Sequence, residues 1–436
     1  MLTSSPAAAA LPYTPAEIAA AFGTPTWVYD AAVIERRIAE VELFDTVRYA
    51  QKANSNLAVL ALMRKHGVKV DAVTAGEIHR AQLAGYTLGS DDVVYTADLF
   101  DDDALERIAR YRIPVNVGSP DMIDQLHDAG IDVPITLRIN PGFGHGHSQK
   151  VNTGGESSKH GIWHTQIPQC LAAARSHRLT VRGLHMHIGS GTDFHHLAQV
   201  CEAMTDAART FAQHADSLTT VSAGGGLPIP YRKDQADRID LERYYRLWDE
   251  TRNTIAQIAG RPIHLEVEPG RYLVAESGSL LTRVRSVKES GSKRYLIIDA
   301  GFNDLVRPSF YGAYHHISIH PDSARADQTA ATSPAESASD EAEDVDYIVA
   351  GPLCESCDVF TQEEDGTVTT RRLPRAAAGD LLVLHDAGAY GMAMSSNYNS
   401  RRLAAEVMLF DGKPHVVRER QTLESLTQFE SIPDIV

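Results

Sequence analysis

Short apolar runs alternate with helical stretches from Thr46 to Val267, and this alternation limits the fold more than any other feature. Helical patterns such as 75–84, 102–111 and 197–214 separate the runs. The repetition predicts an α/β fold, a (β/α)8 TIM-type barrel of parallel strands, although apolar runs alone do not exclude an open doubly wound sheet. The predicted strands are 46–50, 68–73, 93–96, 115–117, 135–139, 181–188, 219–222 and 264–267.

The pattern changes after Ser277, where strand-like runs follow one another with turn residues between them and few helical stretches. This pattern predicts a C-terminal antiparallel β domain. We therefore expect a barrel at 27–276 and a β domain at 277–436, joined by residues 1–26. The predicted strands of the second domain are 281–287, 295–299, 347–350, 368–372, 380–385, 406–410 and 415–417.

Within the second domain, residues 321–346 are rich in Ala, Ser, Thr, Asp and Glu. Such a composition offers little apolar surface to bury. We predict a disordered acidic insertion there.

The overall charge bears on the class of partner. The chain of 436 residues has 41 basic and 57 acidic side chains, which give a formal net charge of −16. This balance disfavours nucleic acid and anionic membranes as partners and favours a small-molecule substrate. No segment approaches the ~20 apolar residues of a membrane span.

The four cysteines, Cys170, Cys201, Cys354 and Cys357, are too few and too unevenly spaced for a secreted disulfide framework. The start of the chain also lacks the basic and long apolar regions of a secretory signal. We expect a cytoplasmic protein. The C-x-x-C spacing of Cys354 and Cys357 leaves a zinc or redox pair as a minor alternative, since no second pair accompanies it.

Lys52 directly follows the predicted strand 46–50. The carboxyl ends of barrel strands are where barrel enzymes carry out chemistry, and a partly desolvated amine there can attack a carbonyl group. A solvated loop lysine is the simpler interpretation of this residue alone.

Small residues follow two later strands. Gly224-Gly225-Gly226 comes after strand 219–222, and Gly189-Ser190-Gly191 comes after His185 and His187. Backbone N–H groups in such turns can bind a phosphate. His185 and His187 share one face of a strand, so a metal site is conceivable, but an imidazole stacked on a flat cofactor fits better with a phosphate nearby.

Glu268 lies in the strongest charged motif, Glu266-Val267-Glu268-Pro269-Gly270-Arg271, at the end of an apolar run. A surface salt-bridge turn is one interpretation. The functional interpretation is that Glu268 keeps a ring nitrogen protonated while Arg271 holds a carboxylate.

Taken together, these motifs resemble the fold-type III pyridoxal 5'-phosphate (PLP) decarboxylases, and most closely their diaminopimelate branch. The resemblance runs from about Thr26 to Leu423 and omits the acidic insertion. Its carriers are Tyr49-Ala50-Gln51-Lys52-Ala53-Asn54, His185-Met186-His187-Ile188-Gly189-Ser190-Gly191, Gly224-Gly225-Gly226, Glu268-Pro269-Gly270-Arg271, Gly351-Pro352-Leu353-Cys354-Glu355-Ser356, Ala387-Gly388-Ala389-Tyr390-Gly391 and Ser395-Ser396-Asn397-Tyr398-Asn399.

The resemblance implies PLP as cofactor and no metal. Lys52 would hold PLP covalently, Asp71 would help to set the charge of Lys52, and His187 would stack on the ring. Glu268 would pair with the pyridine nitrogen. The phosphate and its surroundings would be contacted by Ser190, Gly225, Gly226, Gly270, Arg271 and Tyr390.

It also implies a homodimer with shared active sites. Cys354 of the partner would return a proton to the carbon that loses CO2, and the partner's Glu355 would meet the distal ammonium of an amino-acid substrate. Arg271, Arg307 and Tyr311 would hold a distal carboxylate, and Tyr390 would also line this pocket. A substrate with two amino-acid ends follows from the two arginines.

The expected reaction is the decarboxylation of meso-2,6-diaminopimelate to L-lysine, the last step of lysine biosynthesis. Two alternatives stay open: a related decarboxylase acting on D-ornithine or D-lysine, and a regulatory homologue that binds PLP without catalysis. Cys357 stands where the family usually has glycine, and this puts substrate preference in doubt, particularly if φ is positive there.

Overall fold

The computed structural model describes residues 12–144, 154–187, 193–232, 238–322 and 344–435. The chain divides into two compact units. The barrel unit comprises Glu35–Ile229 and Arg238–Leu273, and the sheet unit comprises Met1–Ile34, Pro230–Asp237 and Val274–Val436.

The described strands are β1 (Thr26–Asp30), β2 (Thr46–Ala50), β3 (Lys69–Ala72), β4 (Val93–Ala97), β5 (Val115–Val117), β6 (Ile135–Asn140), β7 (Ile162–Trp163), β8 (Val181–His185), β9 (Thr220–Ser222), β10 (His264–Val267), β11 (Gly278–Ser290), β12 (Lys293–Ile298), β13 (Ile317–His320), β14 (Asp344–Ala350), β15 (Arg371–Pro374), β16 (Leu381–Leu384), β17 (Ala405–Phe410) and β18 (Lys413–Arg418).

The described α-helices are α1 (Pro15–Phe22), α2 (Ala31–Ala39), α3 (Leu57–Lys65), α4 (Ala75–Leu83), α5 (Asp102–Tyr111), α6 (Asp121–Asp128), α7 (Ile167–His177), α8 (Phe194–Ala212), α9 (Leu241–Ala259), α10 (Arg271–Val274) and α11 (Arg307–Tyr311).

Eight parallel strands close the barrel in the order β2, β3, β4, β5, β6, β8, β9 and β10. The ring closes because β10 pairs with β2, with Glu266 opposite Thr46 and Val267 opposite Val47. The predicted TIM-type barrel is confirmed, and each of the eight predicted runs overlaps one of these strands. The open doubly wound sheet is therefore excluded.

Local capping fixes where the barrel helices begin. Before α4, the Thr74 hydroxyl accepts a hydrogen bond from the Glu77 N–H at 3.1 Å, and the Glu77 carboxylate accepts one from the Val73 N–H at 2.8 Å. Before α5, Asp101 accepts a bond from the Ala104 N–H at 2.7 Å. These caps satisfy N–H groups that a helix leaves unpaired, so each strand ends in a short, defined turn.

A buried ion-pair network ties barrel strands together. Arg48 on β2 is 1% exposed and donates to both carboxylate oxygens of Glu266 on β10, at 2.8 and 2.9 Å. It also donates to Asp91 at 2.8 Å, and Asp91 binds Lys69 on β3 and Arg182 on β8. The network crosslinks four strands, including the pair that closes the ring.

The sheet unit is built on the order β15, β14, β12, β11, β1, β17 and β18, with β16 pairing β11 and β13. The prediction of an antiparallel domain was wrong in part, because β1 runs parallel to β17 and β12 runs parallel to β14. The sheet is therefore mixed. Strand β1, from the start of the chain, is inserted between β11 and β17.

Two predicted boundaries differ from the observed elements. The barrel was expected to begin at residue 27, whereas Thr26–Asp30 is a strand of the sheet unit. The insertion was expected to end at residue 346, whereas β14 already begins at Asp344. Most of the predicted insertion lies outside the described residues.

Within the described part of the chain, no helix is both long enough and apolar enough to cross a bilayer.

The Arg48 network predicts a specific loss of stability. Glu266→Gln would remove one of the two carboxylates that pair with the buried Arg48 and leave only Asp91, so it should lower the free energy of unfolding by roughly 3 kcal/mol. Urea unfolding followed by circular dichroism measures this change. Asp206→Asn is the control, since it breaks the exposed Arg209–Asp206 pair and should cost less than about 1 kcal/mol. Equal losses in the two variants would contradict the role given to the network.

Candidate active site

The predicted cofactor residues of the barrel unit lie at or just after strand ends. Lys52 is on a 3₁₀ turn, Gln51–Ala53, directly after β2, and Asp71 is on β3. His187 follows β8, Gly225 follows β9 and Glu268 follows β10. Because these strands are parallel neighbours in a closed ring, their carboxyl ends meet at one mouth of the barrel.

Glu268 is an acid of this mouth whose two carboxylate oxygens both have partners. Its side chain is buried, its Oε2 lies 2.8 Å from His185 Nε2, and its Oε1 accepts a 2.8 Å hydrogen bond from the Ser222 hydroxyl. Its own N–H donates to the Gly224 carbonyl at 2.7 Å. Backbone and side chain are therefore both fixed across β8, β9 and β10.

The two buried acids of the mouth are shifted in opposite directions. Burial alone would raise the pKa of Glu268, but His185, the Ser222 hydroxyl and His187 together lower it. Burial and the negative charge of Glu268 raise the pKa of Asp71, against opposing effects of Thr96 and Lys52. Neighbouring acids whose pKa values are shifted in opposite directions are typical of catalytic sites.

His187 provides a flat ring beside the glycine turn. Its Nδ1 accepts a hydrogen bond from the Gly225 N–H at 3.2 Å. Desolvation, followed by the positive charges of Arg138 and Lys52, holds the pKa of His187 well below its usual value. A neutral imidazole suits stacking on an aromatic cofactor.

Two glycines are required by close backbone approach. Gly224 has φ +61°, and a Cβ there would lie 2.5 Å from the Met186 carbonyl oxygen. A Cβ on Gly225 would lie 2.7 Å from the Glu268 carbonyl oxygen. Because Gly224 and Gly225 have no side chains, the backbone of this turn lies directly against His187 and Glu268.

Lys52 differs from the expectation in one respect. The sequence suggested a partly desolvated amine, whereas the residue is exposed in the structure. Its positive charge nevertheless acts on Asp71, Glu77 and His187. The neighbouring charges, and not burial, distinguish this lysine from a surface lysine.

Sequence reasoning missed Ser222 and Arg138 as functional groups, and it considered His185 as a possible metal ligand and not as a partner of Glu268. His185 and Ser222 hold Glu268, and Arg138 on β6 is a buried cation whose charge acts on Glu268, Asp71 and His187. A charged residue inside the apolar run of β6 was the available signal for Arg138. Ser190 and its neighbouring glycines lie outside the described residues.

The predicted substrate residues belong to the sheet unit. Arg307 begins α11 and is 6% exposed, and Tyr311 ends the same helix. Tyr390 has φ +59°, a left-handed conformation that is uncommon for a bulky residue.

Cys354 and Glu355 lie on an exposed loop that Asp358 braces. The Asp358 carboxylate accepts hydrogen bonds from the Leu353 N–H at 2.8 Å and the Phe302 N–H at 2.7 Å. The Cys354 N–H donates to the Asn399 side chain at 2.9 Å. The loop thus presents both predicted side chains to solvent from a fixed base.

Cys357 does not strain this loop. The described non-glycine residues with positive φ do not include it, so a cysteine fits where the family usually has glycine. Its carbonyl oxygen accepts hydrogen bonds from Ser309 at 2.8 Å and Gln362 at 3.0 Å. The doubt about backbone geometry is therefore removed.

Within the described ranges, no group of three or more His, Cys, Asp or Glu side chains is arranged to hold a metal ion.

Comparisons with known proteins agree with this geometry. The profile of the family "Pyridoxal-dependent decarboxylase, pyridoxal binding domain" matches residues 31–275. The diaminopimelate decarboxylase of Escherichia coli K12 is 53% identical over 413 residues, which are 94% of each chain.

The chain belongs to the diaminopimelate decarboxylase family.

Solved structures of the family match most of the chain. One crystal structure of diaminopimelate decarboxylase is 53% identical, with a TM-score of 0.88 and 95% of both chains covered. The Helicobacter pylori diaminopimelate decarboxylase complexed with L-lysine is 29% identical, with a TM-score of 0.83 and coverage of 96% of this chain and 99% of that one. The chain is accordingly a PLP-dependent carboxy-lyase.

The residues of the barrel mouth fit the family's cofactor. The Asp71 Oδ1 atom is buried without a hydrogen-bond partner in the described structure, which suits a site that a polar ligand completes. A buried acid with a lowered pKa, a neutral imidazole and bare glycine backbone are the groups that a pyridine ring and its substituents require. Bound PLP supplies an electron-withdrawing ring that accepts the electron pair left by departing CO2.

His185 should therefore influence PLP binding. His185→Phe keeps a flat ring but removes a hydrogen bond to Glu268, so the pKa of Glu268 should rise and PLP affinity should fall by about tenfold. Fluorescence titration of the apoenzyme with PLP measures the affinity. His177→Phe, which removes an exposed contact with Asp124, is the control.

The effect should depend on pH in a defined direction. A carboxylate with a lowered folded pKa contributes fully above its usual pKa of about 4.3 and loses its contribution as pH falls through the lowered value. Because His185→Phe raises that value, PLP affinity of the variant should decline at a higher pH than that of the wild type. Identical profiles for the two proteins would show that His185 does not act on Glu268.

Proposed function

We propose that the enzyme decarboxylates meso-2,6-diaminopimelate to L-lysine, the last step of lysine biosynthesis, in the cytoplasm. The observation that carries the proposal is Glu268, a buried carboxylate with a lowered pKa at the mouth of a PLP-family barrel. An acid at the pyridine nitrogen keeps a proton there, and a protonated ring withdraws electrons most strongly. Decarboxylation needs that electron acceptor.

The cofactor residues take the following roles in this proposal. Lys52 attaches PLP, Asp71 adjusts the charge of Lys52, and His187 lies against the ring. Glu268 binds the ring nitrogen, held by His185 and Ser222. The phosphate and its surroundings are bound by Ser190, Gly225, Gly226, Gly270, Arg271 and Tyr390.

The substrate residues select a molecule with two amino-acid ends. Arg271, Arg307 and Tyr311 bind the distal carboxylate, Glu355 binds the distal ammonium, and Tyr390 lines the pocket. A substrate without the distal carboxylate would lose its proposed charged interaction with the buried Arg307, which is costly. The Helicobacter pylori relative was crystallised with L-lysine, an amino acid that has one carboxylate.

The active site is completed by a second subunit in this proposal. Cys354 and Glu355 lie on an exposed, braced loop, and Cys354 returns a proton to the carbon that has lost CO2. A wall from the partner subunit would also exclude water from that carbon. The assembly is therefore a homodimer with shared sites.

Lysine release tests the reaction. Purified holoenzyme with meso-diaminopimelate should release equal amounts of L-lysine and CO2, measured by chromatography and a coupled CO2 assay. D-Ornithine and D-lysine should be at least about 100-fold poorer in kcat/KM, since each lacks the distal carboxylate. Comparable kcat/KM for D-lysine would place the enzyme among decarboxylases of another amino acid, and PLP binding without turnover of any of them would favour a regulatory protein.

Mixed dimers test the shared site. Lys52→Ala and Cys354→Ala proteins, each nearly inactive alone, should regain about one quarter of wild-type activity when their subunits exchange at random, because one site of the mixed dimer has both residues. Native mass spectrometry of differently tagged subunits verifies the mixture. Verified mixed dimers that stay inactive would place Cys354 in its own subunit's site or outside the chemistry.

A further inference from the structure

His315 is a buried residue that none of the motifs above contains. It lies between α11 and β13 and is 3% exposed. Its Nδ1 is 2.9 Å from the His385 carbonyl oxygen, and its Nε2 is 3.0 Å from the NH1 nitrogen of Arg307. Each ring nitrogen therefore has a definite partner.

The chemistry of these partners assigns the tautomer. A carbonyl oxygen only accepts, so Nδ1 of His315 carries the hydrogen and donates it to His385. A guanidinium only donates, so Nε2 presents its lone pair to Arg307. The imidazole is consequently neutral and acts as an acceptor for a buried cation.

Arg307 is held in one plane by this contact and a second one. The same NH1 nitrogen donates to the Tyr231 hydroxyl at 3.0 Å, and the guanidinium carbon lies 4.8 Å from the centre of the Tyr231 ring. A guanidinium is planar, so two acceptors on one nitrogen fix the direction of the whole group. Both acceptors are uncharged.

Backbone hydrogen bonds brace the chain on both sides of His315. The Gly312 N–H donates to the Pro308 carbonyl at 3.0 Å, and the Ala313 N–H donates to the Arg307 carbonyl at 3.3 Å, so the chain turns back directly after α11. The His385 carbonyl follows β16, which pairs with β13, the strand next to His315. His315 is thus connected to a sheet on one side and to Arg307 on the other.

We propose that His315 is a positioning residue for substrate selection: as a neutral acceptor it orients Arg307 towards the distal carboxylate of the substrate. The inference rests on the carboxylate-binding role proposed above for Arg307. The new element is that Arg307 alone does not suffice to recognise the carboxylate. An arginine side chain is long and flexible, and it binds a carboxylate well only when the plane of its guanidinium is fixed in advance.

Two ligands isolate this effect. L-Lysine keeps the carboxylate that does not leave in the proposed reaction, and 1,5-diaminopentane has the same two amines without it. Calorimetric titration of the holoenzyme gives both dissociation constants, and their ratio measures carboxylate recognition. We expect wild type to bind L-lysine more than about tenfold more tightly than the diamine.

His315→Leu should reduce this preference by about tenfold and raise KM for diaminopimelate, with kcat within about threefold of wild type. His315→Gln, which keeps an acceptor oxygen near the position of Nε2, should restore most of the preference. Ser318→Ala is the matched control, since it removes hydroxyl contacts with His320 and His385 without touching Arg307, and should leave the ratio unchanged. The absorbance of bound PLP verifies that each variant keeps its cofactor.

The outcomes separate the two proposals. If Arg307→Met leaves the ratio at its wild-type value, the carboxylate role of Arg307 fails and the inference fails with it. If Arg307→Met removes the preference but His315→Leu keeps it, only the role of His315 is overturned. Should His315→Leu fail to fold, His315→Asn replaces it, because asparagine can still donate to His385 but is too short to reach Arg307; equal ratios for the Asn and Gln variants would then overturn the role.

Discussion

The carboxylate of Glu268 is the feature on which the rest of the site depends. An unpaired carboxylate in this buried position would take up a proton, and a protonated acid could not keep a proton on a pyridine ring. His185 and Ser222 prevent this, one on each oxygen. Both partners come from β8 and β9, the two strands next to β10 in the barrel order, so the pairing of these strands positions the carboxylate.

The sheet unit contains a similar arrangement around a buried ion of the opposite charge. There the buried ion is the cation Arg307, and the imidazole of His315 accepts a hydrogen bond where that of His185 faces an acid. In each case a histidine forms a hydrogen bond to a buried charged group and helps to fix its direction. Such a hydrogen bond offsets part of the cost of burying the charge.

Much of this organisation could be predicted from local sequence. The barrel strands were recognisable because each is a short apolar run followed by a helix, and Lys52 and Glu268 stood out because each is a charged residue at such a run's end. The contact between His185 and Glu268 could not be predicted, since it joins residues 83 positions apart across β9 and exists only when β8, β9 and β10 have paired. Strand β1 was misassigned for a similar reason, because its partners Gly278–Ser290 and Ala405–Phe410 are distant in sequence. His315 carried no signal because its role lies in one hydrogen bond.

The central claim is that the charged mouth of the barrel, with Lys52 beside Asp71 and His187, is the PLP site. Borohydride reduction of the holoenzyme followed by peptide mapping tests it most directly, because reduction makes the bond between lysine and cofactor permanent. The account predicts a yellow protein that loses its colour on reduction and carries one pyridoxyl group per chain, on Lys52. A pyridoxyl group on any other lysine, or none on a PLP-loaded protein, would contradict it.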